Sequence, residues 1–560
     1  MLIKKQLGDN MKKAFSILTL AGMIALPAAA MAGGVKAPAD ISDGKVEELA
    51  QQVDQLQEEL ARKNEIVTEN DEKLQAMNEN LEDMESKLED MNELLEERSE
   101  AWDLASRFLL TGDFRSRMDY YSATGADYFN PATGALENGR EYSSDTLLTN
   151  RFRLNMEVKA TENMKFKGRL AMYKTWGMES YTRNDMNTWW PQFDGNSTRT
   201  PADNALRVDR AYVNWTNIGG APVWFSIGRR PTTDGVPAQI RLGADKRMAT
   251  ASAQMEYAFD GATLGYAYDW GNDSMGSGRM RFCYGRGFEN GVQWDAATYH
   301  GSTDIFPLDD TDFAGISWDI MESEDRLLYF QSFIAMNMFM RPNFLDDDFH
   351  AIMDQQATNY TEGNLYHTSA VYQATTGDFT YFFSGGWSKT NPGGHGMFND
   401  YATSMVMQAD GSMAPNPNWR TNTDSETGFS LYAGLRYDLS NIGLKIGAEY
   451  NYGSQYWIAF NPGHDDLYLA KLATRGQVAE LYMIYDLPSG EAISKYAKTF
   501  VRLGYQHYEY DYTGNDWNTK PYDTDDAAMM TASLGMATES GSAVPVDSAD
   551  QVYVTLDVFF

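Results

Sequence analysis

Residues 46 to 98 repeat apolar side chains with the seven-residue period of a coiled coil. All the a positions are apolar: Val46, Val53, Leu60, Val67, Leu74, Leu81, Leu88 and Leu95. The d positions are Leu49, Leu56, Lys63, Asn70, Met77, Met84, Met91 and Arg98. A single helix would leave this stripe in water, so we predict an α-helical coiled coil over 44–100 that associates with a partner or with copies of itself. The repeat does not distinguish a dimer from a trimer.

From residue 107 to residue 560 the apolar period changes to two, which is the period of a β-strand. The stretch "LLTGDFRSRMDYY" alternates in this way, and so does the C-terminal "QVYVTLDVFF" at 551–560. Repeated segments of about ten residues predict an all-β transmembrane up-and-down barrel. We expect 18 strands, including 250–259 and 291–299, or 16 if two weak strands are wrongly assigned.

The links between the predicted strands alternate between short and long. Links such as 160–164 and 375–377 are short, whereas 177–205, 231–249 and 389–427 are long. Outer-membrane barrels have short periplasmic turns on one rim and long loops on the other, and a soluble sandwich has no reason to keep that alternation. An even strand number returns both chain ends to the short-turn rim. We therefore expect a barrel in outer-membrane lipid and a coiled coil in the periplasm.

The N-terminus has the features of an export signal. Lys12 and Lys13 precede a short apolar stretch that ends in the Ala30-Met31-Ala32 cleavage pattern. We predict a signal peptide at 1–32, with Met11 as the candidate true start, and a linker at 33–43. The protein is then exported, as in Gram-negative bacteria.

Alternation also predicts which charged residues of the first three strands point into the barrel. The predicted pore-lining residues are Asp113, Arg115, Arg117, Arg151, Arg153, Glu157, Lys165, Lys167 and Arg169. An ionised side chain facing lipid costs a few kcal/mol, so these residues belong on the inner face. They either line a water-filled pore and select ions or pair laterally and brace the wall, and the two interpretations are compatible.

A cation-rich loop follows the strand that ends near residue 228. Its predicted constriction residues are Arg229, Arg230, Arg241, Lys246 and Arg247. Pro231 removes a ladder donor and so ends the strand. The segment resembles the third loop of general and substrate-specific porins, which folds inward and narrows the channel. A plain external loop is the alternative.

Composition excludes several other functions. The chain has a net charge of -33, and its N-terminal helix is acidic, which disfavours nucleic acid as a partner. A single cysteine, Cys283, excludes CxxCH haem attachment and CxxC pairs within the chain. The six scattered histidines show no metal-ligand or triad spacing. We expect no enzyme activity, no catalytic or metal site and no cofactor.

Four short segments carry a family resemblance. "TLLTNRFRL" (146–154), "GRRPTTDG" (228–235), "FCYGRGFEN" (282–290) and "DTDFAG" (310–315) resemble recurrent segments of a porin-like outer-membrane family of unknown function. This resemblance implies a barrel but no substrate. The architecture is also similar to sugar-specific porins that carry a periplasmic coiled coil, and this likeness is one of fold.

These observations lead to three functional hypotheses. The first is a porin for passive diffusion of small hydrophilic solutes, with anion preference as the finer expectation. The second is a barrel sheath around a partner multihaem cytochrome in an electron conduit. The third is a tether whose coiled coil contacts the cell wall. We expect a homo-oligomer through the coiled coil, with a trimer as the specific prediction.

Overall fold

The computed structural model describes residues 43–130, 133–177, 201, 204–256, 260–289, 309–339, 361–400, 403, 405–407, 413–461, 470–490, 494–531 and 545–560. The predicted signal peptide and almost all of the linker lie outside these residues. The N-terminal helix runs over Asp43–Arg107. Its a and d side chains between 50 and 94 are exposed, with Leu60 at 62% and Met77 at 60%. Self-association of this stripe stays a prediction. Within the described residues, no helix is both long enough and apolar enough to cross a membrane.

Twenty strands follow the helix in the described residues. In chain order they are β1 Phe108–Gly125, β2 Tyr128–Phe129, β3 Leu136–Glu137, β4 Glu141–Lys159, β5 Met164–Thr175, β6 Arg207–Trp215, β7 Val223–Arg229, β8 Asp260–Asp269, β9 Ser277–Phe288, β10 Thr311–Glu322, β11 Arg326–Phe339, β12 Thr361–Thr376, β13 Phe379–Pro392, β14 Met405–Met407, β15 Met413–Pro415, β16 Thr427–Leu439, β17 Leu444–Gly453, β18 Gly476–Asp486, β19 Lys498–Tyr510 and β20 Val546–Phe559. Two pairs, β2–β3 and β14–β15, form separate two-stranded sheets. Short helical turns lie at Ile218–Gly220, Ala238–Arg241, Ser440–Ile442 and Lys471–Ala473.

The other 16 strands form one closed antiparallel barrel. Consecutive strands are neighbours, and β20 closes the barrel by pairing with β1. The C-terminal residue takes part in this closure, because Gly112 N–H donates to Phe560 O at 2.8 Å and Phe560 N–H donates to Gly112 O at 3.0 Å. The links alternate in length throughout, from the short 377–378 to the long 393–426. Fold class and link alternation are therefore as predicted, with the smaller of the two strand numbers.

Residues 250–256 account for one of the two surplus strands. They alternate in polarity as a wall strand would, yet all of 251–256 is buried inside the barrel. Ser252 Oγ lies 2.9 Å from Ser369 Oγ, and Gln254 Nε2 donates to Ser430 Oγ at 3.2 Å. The polar side chains of this segment thus form hydrogen bonds with polar side chains of the inner wall. The other surplus strand, 291–299, lies outside the described residues.

The outer surface of the barrel has the character of a lipid-facing wall. Large apolar side chains alternate outward along the strands, for example Leu264, Phe282, Phe383, Leu431 and Leu481. Exposed aromatic side chains collect near both rims: Trp215, Tyr437 and Tyr485 toward the short turns, and Trp387, Phe429 and Tyr450 toward the long loops. An apolar band between two aromatic girdles is typical of outer-membrane barrels.

Candidate functional site: the barrel interior

The predicted pore-lining residues of β1, β4 and β5 lie on the inner face, where most of them are dry. Burial alternates along β1, so Asp113, Arg115 and Arg117 are buried while Met118 and Tyr120 are exposed. Arg117 is 1% exposed and Arg169 is 2% exposed. Side chains this deeply buried are surrounded by protein, and their charges must be met by direct partners.

Each predicted pore-lining cation lies against a carboxylate. Arg115 Nε donates to Asp557 at 2.6 Å and Arg117 Nη2 to Asp119 at 2.7 Å. Arg153 Nε lies 2.8 Å and Arg151 Nη2 lies 3.2 Å from Asp113. Arg169 pairs with Asp209 on β6. The bracing interpretation therefore describes the geometry of these residues, and their role in ion selection stays a prediction.

Three of the predicted pore-lining residues are more exposed than the rest: Glu157, Lys165 and Lys167. They lie near the short turn between β4 and β5, and their side chains are 21%, 39% and 38% exposed. Glu157 accepts from Lys165 Nζ at 2.7 Å and from Lys167 Nζ at 2.8 Å. This group meets water at the rim.

The segment after β7 enters the barrel and crosses it. We call residues 231–256 the crossing loop. On one side Arg169 Nη2 donates to Thr233 Oγ1 at 2.9 Å, and Asp234 pairs with Arg153 of β4. On the other side Arg436 of β16 donates to the carbonyl of Ile240 at 2.9 Å. The loop therefore connects strands that are not neighbours in the wall, and the alternative of a plain external loop does not describe these residues.

Apolar contacts hold the middle of the crossing loop. Val236 packs in one cluster with Leu327, Tyr329 and Val371. Ile240 and Leu242 belong to a second cluster that includes the wall residues Phe382 and Tyr432. The glycine at 243 has a φ of +68°, and a Cβ there would lie 2.9 Å from the ring of Phe500. This glycine lets the backbone turn against the wall.

Three of the five predicted constriction residues lie on the crossing loop, and the other two, Arg229 and Arg230, directly precede it. Arg229 ends β7, and Arg230 lies over the ring of Tyr212, 5.6 Å from its centroid. Arg241 is fully buried, Lys246 is exposed, and Arg247 Nη1 donates to Asp319 at 2.8 Å. Their role as a constriction stays a prediction.

The crossing loop contributes Arg241 to a buried charge cluster, which we call the Glu480 cluster: Arg241, Glu449, Lys471, Glu480 and Tyr553. Lys471 Nζ lies 2.6 Å from Glu449 and 2.6 Å from Glu480. Arg241 Nη1 lies 3.2 Å from Glu480, and Tyr553 OH donates to Glu480 at 2.6 Å. Two carboxylates, two cations and a phenol thus lie in direct contact within one buried network.

Sequence reasoning missed a second segment that folds inward. Residues 454–461 and 470–475 belong to the long link between β17 and β18. Trp457 and Phe460 are buried, and Trp457 Nε1 donates to the carbonyl of Leu472 at 2.8 Å. Lys471 carries the same segment into the Glu480 cluster. The available signal was "YWIAF" at 456–460, an apolar run in a link that would otherwise be expected to meet water.

The fold and interior together define a class. A closed, even-stranded antiparallel barrel with an apolar outer band and inward-folded links is a porin-like outer-membrane β-barrel. The chain belongs to the family described as "Protein of unknown function (DUF3373)", which matches residues 141–560. Among curated proteins, none matches this chain.

Solved structures with a similar fold are outer-membrane proteins of low sequence identity. The trimer form of OmpT from Vibrio cholerae has 10% identity and a TM-score of 0.36, over 81% of this chain and 99% of that chain. OmpF of Salmonella typhi, in complex with daunomycin, has 9% identity and a TM-score of 0.36, over 81% and 97%. OprB of Pseudomonas putida has 11% identity and a TM-score of 0.38, over 83% and 96%.

Proposed function

We propose that this protein is an outer-membrane channel for passive diffusion of small hydrophilic solutes, with a preference for anions. The observation that carries the proposal is the crossing loop, which is fastened to opposite sides of the wall by ion pairs and hydrogen bonds at Asp234, Ile240 and Arg241. A purely structural barrel has no need of a loop held across its interior. A channel uses such a loop to set its width.

Anion preference is supported by interior arginines that bond to neutral acceptors. Arg210 donates to the carbonyl of Met248 at 2.8 Å and to that of Thr233 at 3.0 Å. Arg475 donates to the carbonyl of Trp457 at 3.1 Å. A carbonyl satisfies the N–H groups but leaves the formal charge in place, and the carboxylate of Asp209, 3.8 Å from Arg210 Nε, is shared with Arg169. These positive charges attract anions and repel cations along the interior.

Planar-bilayer recording of the purified full-length protein tests the proposal. Under a KCl gradient we expect stepwise conductance and a reversal potential on the chloride-selective side. Arg210→Gln on β6 should move the reversal potential toward zero. Arg420→Gln is the control, because it removes an exposed arginine that also donates to a carbonyl, that of Pro417 at 2.9 Å, and it should leave the reversal potential unchanged. Absence of conductance would refute the channel, and cation selectivity would refute the role of the interior arginines.

Two alternative hypotheses stay open. In a cytochrome sheath, the partner would have to fit beside the crossing loop and 454–461, which are buried inside the barrel. For the N-terminal helix we propose a periplasmic coiled coil that makes the protein a homo-oligomer, as a trimer, and that contacts the cell wall. Its support is the exposed apolar stripe of the helix. Light scattering on full-length protein and on a variant lacking 44–100 tests it, and equal masses would refute it.

A further inference from the structure

A small chamber lies between the crossing loop and the inner wall. Its volume is about 70 Å³, and it is lined mainly by apolar side chains. Met255, Phe313 and Phe333 form its inner part. Tyr284, Ala314 and Ile316 also line it, although they alternate with inward residues and so belong to the outer face of β9 and β10. A cavity lined by both faces of a wall extends through that wall. We call it the seam chamber.

The chamber passes through the wall where two strands are weakly joined. β9 and β10, which the structure describes in full, form one ladder pair, Thr311 with Phe288, and a bridge joins Gly276 to Glu322 at the opposite end. The ladders on either side, β8–β9 and β10–β11, contain ten pairs each. Between the two ends of this seam, no ladder pair joins the two strands in the described residues.

Side chains donate to one backbone carbonyl at the seam, that of Ile320. Trp270 Nε1 donates to the carbonyl of Ile320 at 2.9 Å, and Tyr268 OH donates to the same carbonyl at 3.0 Å. On the inner side Arg281 Nη1 donates to Ser317 Oγ at 3.3 Å. Backbone groups in a lipid-facing wall require partners. Because these partners are side chains, the seam can widen without breaking a strand ladder.

Arg230 supplies the chemistry of the chamber. It lines the cavity, and its Nη1 atom is buried without a hydrogen-bond partner in the described residues. The described residues also give it no ion pair within 4.0 Å, whereas the nearby Arg281 is paired with Asp319. The Arg230 side chain is half-buried, and a carboxylate is the group that a guanidinium binds in a matching geometry.

We propose that the seam chamber binds a single-chain amphiphile with a carboxylate head, of the fatty-acid class, which enters from the membrane through the β9–β10 seam. The carboxylate accepts hydrogen bonds from Arg230, and the first methylenes lie against Phe313 and Phe333. The volume of about 70 Å³ is roughly half that of an engineered cavity that holds benzene. The chamber therefore holds the head and a few methylenes, and the rest of the chain lies in the seam and the lipid. This site does not depend on conduction.

Cys283 is a native probe of the proposed site. It is the single cysteine of the chain, and it lines the chamber. The full-length protein is reconstituted in phosphatidylcholine vesicles, and Cys283 labelling by an apolar maleimide is timed with increasing dodecanoate. We expect dodecanoate to slow labelling, and butyrate and dodecyltrimethylammonium at the same concentrations to have no effect. Equal protection by butyrate would overturn the seam route, and equal protection by the cationic amphiphile would overturn recognition of the carboxylate.

Two variants separate binding from folding. Arg230→Gln should weaken protection by dodecanoate about 10- to 100-fold, because it removes a charge-assisted hydrogen bond. Lys246→Gln, which removes an exposed cation of the crossing loop, is the control. In this variant dodecanoate should protect Cys283 from labelling as well as it does in the native protein. Ala314→Phe changes an outer-face residue at the mouth and should also reduce protection. Heat-modified electrophoretic mobility verifies that each barrel is folded. Full protection in a folded Arg230→Gln barrel, or no protection in the native one, would overturn the proposal.

Discussion

The Glu480 cluster gives a quantitative test of whether the barrel interior is held by dry charge pairs. Glu480 accepts hydrogen bonds from Lys471 and Tyr553 at 2.6 Å, from Gln506 at 3.1 Å and from Arg241 at 3.2 Å. The side chains of Glu480 and Arg241 are 0% exposed, and that of Lys471 is 1% exposed. Glu480→Gln keeps the shape of the side chain and removes the charge that both cations face.

Removing one partner of a buried pair costs about 3–5 kcal/mol, because the remaining charge is left uncompensated. Glu449 still lies 2.6 Å from Lys471, so Arg241 is the cation that loses most. We therefore expect Glu480→Gln to lower the free energy of unfolding by about 3 kcal/mol, the lower end of that range. Glu157→Gln is the matched control, since Glu157 also bridges two cations but is 21% exposed at the rim. Its cost should be about 0–1 kcal/mol.

Urea unfolding of the full chain in lipid vesicles, followed by tryptophan fluorescence, measures both values. The double variant Glu480→Gln with Arg241→Gln should recover part of the lost stability, because it removes the uncompensated cation. Equal costs at Glu480 and Glu157 would refute the distinction between a dry interior and a wet rim. A double variant that is additive would refute direct coupling between Arg241 and Glu480.

Three further predictions concern the ends and loops of the chain. Phe560→Ala should destabilise the barrel by about 1–2 kcal/mol, because its ring packs over the closing contact with Gly112, and gel mobility should show less folded protein than Phe560→Tyr. Burial first, and then the charges of Glu509 and other nearby carboxylates, raise the pKa of Asp511 above its ordinary 3.8. Its stabilising contribution is therefore complete below pH 3.8 and is lost as pH rises through the raised folded pKa. Asp511→Asn should reduce the dependence of the unfolding free energy on pH in the range just above pH 3.8. An unchanged slope would contradict the raised pKa of Asp511. Leu60→Asp should reduce the oligomer mass measured by light scattering if the exposed stripe is the association surface, and an unchanged mass would contradict it.

The wall of the barrel could be predicted from sequence because its causes are local. A strand between lipid and interior must alternate, so the C-terminal run 551–560 predicts both its strand and its outward face. Alternation does not reveal what lies opposite. Ser252 and Gln254 alternate with alanines in the same way, yet they lie inside the barrel and bond to Ser369 and Ser430. An alternation of polar and apolar residues needs a polar environment on one side and an apolar one on the other. A segment inside the barrel that packs against polar residues of the wall has these two environments, as a wall strand does.

The ion pairs could not be predicted because their partners are distant in the chain. Arg115 and its partner Asp557 are separated by 442 positions, and they meet only because the last strand closes on the first. Arg153 meets Asp234 only because the crossing loop folds inward. Sequence patterns place a charge on a face. Pairing depends on barrel closure and loop placement, which those patterns do not contain.

The way in which the crossing loop is attached determines where a solute can pass. Asp234 and Arg241 hold it by charge, whereas Val236 and Ile240, which lie between these two residues, are buried against the wall. Water and salt can replace the ion pairs, but displacement of the loop would expose the apolar middle to water at a cost of about 1.5–3 kcal/mol for each large side chain. A diffusing solute does not supply that free energy. In the proposed channel, the route therefore runs beside a fixed loop, and we expect the arginines that donate to carbonyls, Arg210 first among them, to contribute the charge that the solute meets.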